Sequence, residues 1–148
     1  MNSEMSKEKE NMPTQLTEIL IVEDDDVLRE VMEILLTIDE LHVRSARTGS
    51  EALKLIDECV PSVLVTDVLL PDMTGLEVIE KLRKKEETRD IAVIVHTSLD
   101  LSLEQQSQFK LGPTRCITKT TAMSDSLAEL ILELVKEQKC AQNASANG

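Results

Sequence analysis

Side chains able to do phosphorus or metal chemistry stand at the ends of short apolar runs in this 148-residue chain. Glu23, Asp24 and Asp25 follow Ile19-Leu20-Ile21-Val22. Asp67 follows Val63-Leu64-Val65-Thr66, Thr97 and Ser98 come after the run Ile91 to Val95, and Lys119 comes after Cys116 to Thr118. Carboxylates crowded on one edge raise one another's pKa, so a cation should share their site. Mg²⁺ suits it best, because this ion takes hard oxygen ligands and is typically held by one or two carboxylates plus a phosphate. A carboxylate beside such an ion can attack phosphorus and give an aspartyl phosphate. Asp67 is the candidate nucleophile: it ends an apolar run and opens a loop, 68–75, whose Pro71 and Gly75 would hold the backbone open around an incoming group. Lys119 would pair with the phosphoryl oxygens, and the Thr97 hydroxyl would donate to one of them.

These residues can meet only if the runs are neighbouring strands. Five apolar runs, Glu18 to Val22, Leu41 to Ala46, Val63 to Thr66, Ile91 to Val95 and Cys116 to Thr118, are short, and three are rich in Val and Ile without alternation, as buried parallel strands are. Between them the apolar period lengthens to that of amphipathic helices: Val27, Val31, Leu35 and Ile38, then Leu76, Ile79 and Leu82, then Leu127, Leu130, Ile131 and Leu134. Thr48 with Glu51, and Ser102 with Gln105, make capping-box patterns at helix heads, and Pro61 should stop the helix that begins at Thr48. Repeated βα order implies an α/β, doubly wound, five-stranded parallel sheet with helices on both faces. Its ligand site should lie at the carboxyl ends of the strands. The domain is expected over residues 17–139, between polar, loose tails at 1–16 and 140–148.

Each residue taken singly has a plainer reading. Asp25 and Asp26 suit a helix start, where acidic side chains cap free N–H groups. Asp67 alone could be a turn residue, Thr97 and Ser98 could cap the next segment, and Lys119 could be a surface lysine. Their order along the chain is what separates them from that background.

That order carries a resemblance. Ile19-Leu20-Ile21-Val22-Glu23-Asp24-Asp25, Val65-Thr66-Asp67-Val68-Leu69-Leu70-Pro71-Asp72-Met73-Thr74-Gly75, His96-Thr97-Ser98 and Lys119 together resemble the receiver domains of two-component response regulators, of the single-domain chemotaxis type. The resemblance implies a flavodoxin-like fold and assigns roles. Glu23 and Asp24 match the acidic pair that holds Mg²⁺, Asp67 the phosphoacceptor, Thr97 the switch hydroxyl and Lys119 the phosphate-sensing lysine. The backbone carbonyl of Leu69 matches a further Mg²⁺ ligand. A histidine kinase or histidine phosphotransfer protein would be the donor and a downstream effector protein the reader. Dimerisation through the fourth and fifth helices stays open. The chain would catalyse only its own phosphorylation and dephosphorylation.

Four positions depart from the family pattern, one of them Pro113 where a small residue is usual. Cys116 stands where receivers often carry an aromatic lever, Thr120 follows Lys119 where a proline in a cis peptide is common, and Leu69 replaces a polar side chain that can orient water. A cis bond before Thr120 would cost about 3 kcal/mol, so a trans bond is expected. With Leu69 in place, self-dephosphorylation is expected to be slow. Pro113 should tighten the turn into the fifth strand. Cys116 and Thr120 also keep open an alternative, a pseudo-receiver that binds partners without phosphorylation.

Composition excludes other classes. A net charge of −12, from 28 acidic against 16 basic residues, opposes direct nucleic-acid binding. No apolar run approaches the length of a membrane span and no signal-peptide core is present, so a cytoplasmic protein is expected. Cys59, Cys116 and Cys140 are an odd set without C-x-x-C spacing and read as reduced thiols. His42 and His96 read as structural. A phosphohydrolase would need a second acid where Leu69 stands, and the phosphate-binding and dinucleotide-binding glycine loops are missing.

Overall fold

The computed structural model describes residues 18–38, 41–118, 127 and 129–136. Over these residues the chain runs β1 (Glu18–Val22), α1 (Asp26–Ile38), β2 (His42–Ala46), α2 (Gly49–Glu58), β3 (Val63–Thr66), α3 (Gly75–Arg83), β4 (Ala92–Thr97), α4 (Leu103–Phe109) and β5 (Thr114–Thr118). A last helical stretch, α5, occupies 129–136. All strand pairs are parallel, and the sheet order is β2-β1-β3-β4-β5. This is the doubly wound α/β sheet that the sequence predicts. The expected tails, 1–16 and 140–148, and Lys119 and Thr120 lie outside the described residues. No peptide bond among those described is cis.

The central strands are apolar throughout because both of their faces are covered. Ile19 and Ile21, Val63 and Val65, and Ala92 and Ile94 pack beneath α1 and α5 with Met32, Leu36, Leu127, Ile131 and Leu134. Leu20 and Val22, Leu64, and Val93 and Val95 face α2, α3 and α4 with Ala52, Ile56, Val78, Ile79, Leu82 and Phe109. The expected stripes of α3 and α5 are thus core faces. β4 and β5 are longer than their apolar runs. β4 continues to Thr97, which is its last residue rather than the start of a loop, and β5 begins two residues early at Thr114.

The stripe expected on α1 is corrected. Val27 is 72% and Val31 40% exposed, whereas Met32 and Leu36 are buried and Leu28 packs against them. Two apolar ladders one residue apart run along this helix, about 100° round from each other, so periodicity cannot choose between them. The helix entry chooses. Asp25 Oδ1 accepts from the N–H groups of Val27 and Leu28 at 3.0 and 3.2 Å, and Arg29 Nη1 donates to the Glu23 carbonyl at 2.9 Å.

At the amino-end edge of the sheet one side chain serves both β4 and β5. The Arg83 guanidinium donates to the carbonyls of Arg89 and Ile91, both at 2.7 Å, of Pro113 at 3.2 Å and of Leu111. It thereby ties the entries of β4 and β5 to the end of α3. Gly112, at φ 71°, lies against this guanidinium, where a side chain would be both strained and crowded. Pro113 lies in the same turn, and its carbonyl accepts from Val93 N at 2.9 Å.

Candidate functional site

Register brings the candidate residues to one edge. Val22 pairs with Thr66 and Thr66 with Val95, so Glu23 and Asp67 leave adjacent strands together, and Thr97 ends the strand on the other side of β3. Asp67 N donates to the Val22 carbonyl at 3.4 Å, which carries the ladder one step past both strands. Thr97 pairs with Thr118, the last described residue of β5, and Lys119 lies outside the described residues.

Each carboxylate has a distinct setting. Glu23 is buried at 3% exposure, its backbone N–H donates to Ala46 O at 3.0 Å, and its Oε2 accepts from Asp25 N at 3.2 Å. Asp24 is exposed. Asp67 is half-buried, with Oδ1 accepting from Val68 N at 2.6 Å, and the Thr66 hydroxyl donates to its backbone carbonyl at 3.0 Å. Asp25 is occupied as the cap of α1, as its plainer reading expects. Asp26 pairs with Arg29 at 2.6 Å and with Arg47 at 3.3 Å, and the Arg29 hydrogen bond holds its carboxyl below the ordinary carboxylate range.

The crowding of three or more acids expected at this edge is therefore reduced. Among the described residues no three His, Cys, Asp or Glu side chains form a ready-made metal cage. Asp25 and Asp26 have turned to the helix and to the arginines. Glu23, Asp24 and Asp67, which follow β1 and β3, are hard oxygen donors, and Leu69 lies two residues past Asp67 in the next loop. That set fits Mg²⁺, which needs only one or two carboxylates and fills its octahedron with water and phosphate.

The loop after Asp67 is a narrow hairpin. Gly75 N donates to Val68 O at 2.7 Å, Leu70 N donates to Met73 O at 3.2 Å, and Leu69 bridges Thr74. Thr74 then caps α3 in a complete capping box with Glu77. The sequence carried this signal as T-x-x-E, alongside the boxes at Ser102, which is also complete, and at Thr48, where Glu51 reaches the Arg47 amide instead. Gly75 is required here because a Cβ would collide with the Asp67 carbonyl oxygen.

Thr97 is buried, and its Oγ1 accepts from Leu99 N at 3.2 Å. Behind it lies a cavity of about 50 Å³ lined by residues that include Leu101, Gln106 and Cys116. Cys116, the position of the missing aromatic lever, leaves this space unfilled by its own small side chain. Burial pushes the Cys116 thiol up. Cys59 is exposed and donates to Glu18 at 2.7 Å, which raises its thiol too. His96 is buried on β4 and His42 is exposed on β2.

The chain as a whole is similar to known proteins. The family model of the response regulator receiver domain matches residues 19–131. The response regulator MprA of Mycobacterium bovis is 32% identical over 127 residues, covering 84% of this chain and 54% of that protein. The chain spans about half the length of the curated relatives it matches. Among solved structures, a CheY-like receiver domain protein from Methanospirillum hungatei is 28% identical with a TM-score of 0.76, covering 85% of this chain and 98% of that one. The response regulator TrrA from Thermotoga maritima, solved in complex with Mg²⁺ and BeF, is 26% identical with a TM-score of 0.71, covering 80% and 99%.

Proposed function

We propose, from the premise that this chain belongs to the receiver domains of two-component response regulators, that Asp67 accepts a phosphoryl group and thereby switches the binding of a downstream protein. The observation that carries this reading is the register that sets Glu23, Asp67 and Thr97 at the carboxyl ends of three adjacent strands. In the transfer, an Asp67 carboxylate oxygen bonds to phosphorus as the P–N bond to the donor's imidazole breaks. The electron pair returns to that nitrogen, which takes up a proton. Most of the catalysis is positioning and neutralisation of charge.

Glu23, Asp24, Asp67 and the Leu69 carbonyl would hold Mg²⁺, which supplies positive charge against the phosphoryl oxygens. TrrA, similar in fold and sequence, has been solved with Mg²⁺ and beryllofluoride, a group with the charge and shape of a phosphoryl. Thr97 donates its hydroxyl hydrogen to a phosphoryl oxygen, while its lone pairs remain able to accept from Leu99 N. Lys119 pairs with another.

The donor is a histidine kinase or histidine phosphotransfer protein, and the setting is cytoplasmic. No described helix is long and apolar enough to cross a membrane. The chain acts as substrate and catalyst of its own modification and turns over no other molecule. A groove of about 680 Å³ lies along β5, its lining including Lys110, Arg115, Glu129 and Glu133. Incubation with acetyl phosphate and Mg²⁺ tests the reading: one phosphoryl group should be gained, and Asp67→Asn should gain none.

A further inference from the structure

Residues 67–75 are fastened at more than their two ends. The tip of the hairpin, Pro71-Asp72, reaches a helix more than twenty positions earlier. Asp72 Oδ1 accepts from Gly49 N at 2.9 Å, and Oδ2 accepts from Ser50 N at 2.9 Å and from the Ser50 hydroxyl at 2.6 Å. Beside it, the Met73 side chain lies so close over Gly49 that a Cβ there would collide with it.

Helix α2 has a cap of its own. The Thr48 hydroxyl accepts from Glu51 N at 3.1 Å. Of the four orphan N–H groups at a helix start, Asp72 therefore takes two that the local cap does not reach, and the carboxylate that takes them belongs to the phosphoacceptor loop. The three bonds, with the α2 amino terminus, hold that carboxylate ionised, its pKa lowered to about 2. Three residues back along the same hairpin is the Leu69 carbonyl, and five back is Asp67.

We infer that Asp72 is a positioning residue for the Asp67 site: by bolting the tip of the 67–75 hairpin to the amino end of α2, it fixes the Leu69 carbonyl and the Asp67 carboxylate in the places phosphoryl transfer requires. The inference rests on the proposed phosphoacceptor role of Asp67 and deepens it. Partners that orient a ligand without touching the metal commonly change metal affinity by about tenfold or more when removed.

The test compares wild type, Asp72→Ala and Thr48→Ala. The last removes a cap from the same helix without touching the hairpin. Both variants should lose similar thermal stability. Only Asp72→Ala should speed amide hydrogen exchange at Leu70 and Gly75, and only it should raise the Mg²⁺ concentration for half-maximal labelling by acetyl phosphate, by about tenfold. Asp72→Asn, which keeps one acceptor oxygen, should fall between. An Asp72→Ala chain that matches Thr48→Ala in exchange and in Mg²⁺ dependence overturns the inference while leaving the phosphoacceptor reading intact. A wild type that takes no label removes that reading, and the exchange comparison then decides alone whether Asp72 sets the hairpin.

Discussion

The Cα of Gly75 sits against the backbone carbonyl oxygen of Asp67, with no room for a methyl group between them. This contact seats the amino end of α3 directly on the candidate acceptor, and the Gly75 N–H closes the hairpin on Val68 at 2.7 Å. Gly75→Ala should push α3 and the hairpin apart. Overpacking of this kind costs about 1–3 kcal/mol, so urea denaturation should show a loss of that size together with slower labelling by acetyl phosphate. Unchanged stability would mean that the hairpin yields more freely than its hydrogen bonds imply.

The Asp72 carboxyl gives a pH signature. Its folded pKa, about 2, lies below the usual value near 3.9 in an unfolded chain. A depressed carboxyl contributes stability that is complete above the unfolded value and is lost as pH falls through the folded one. The stability difference between wild type and Asp72→Asn should therefore be constant from pH 7 to about pH 5 and shrink between about pH 4 and pH 2. Because this carboxylate is exposed and screened, the difference should not exceed about 1 kcal/mol. Urea melts across this range measure it.

Arg83 should separate stability from chemistry. Its guanidinium serves carbonyls at the amino-end edge of β4 and β5, opposite the Asp67 edge. Arg83→Ala would remove its hydrogen bonds to these carbonyls, of which Pro113 keeps Val93 N as a donor, at a cost of about 2 kcal/mol, seen as a lower denaturation midpoint. Labelling of the chain that stays folded should proceed at the wild-type rate.

Helix α1 offers a test of which ladder faces the sheet. Met32→Ala removes a side chain that is 2% exposed and should cost about 2–5 kcal/mol. Val31→Ala, on the exposed ladder, should cost well under 1 kcal/mol. Equal losses would contradict the packing described for α1.

Much of this arrangement was legible in the residues. Ile19 to Val22 and Val63 to Thr66 could be read as strands buried on both faces, because an unbroken apolar run of that length has few other uses. The strand ends then located Glu23, Asp67 and Thr97. The face of α1 was not legible, because Val27 and Leu28, and Val31 and Met32, are equally apolar, and the helix entry, through Asp25 and Arg29, sets which of them turns inward. Thr74 and Glu77 carried a readable capping signal. Asp72 carried none, because a cap supplied by another element has no fixed spacing from the helix it serves.

Whether Asp67 is the phosphoacceptor is decided by intact mass and peptide mapping after incubation of the full chain with acetyl phosphate and Mg²⁺. A single added phosphoryl group on Asp67 is expected, labile to hydroxylamine, dependent on Mg²⁺ and lost in Asp67→Asn. No added mass on the folded wild type, or a phosphoryl group mapped to another residue, would contradict it.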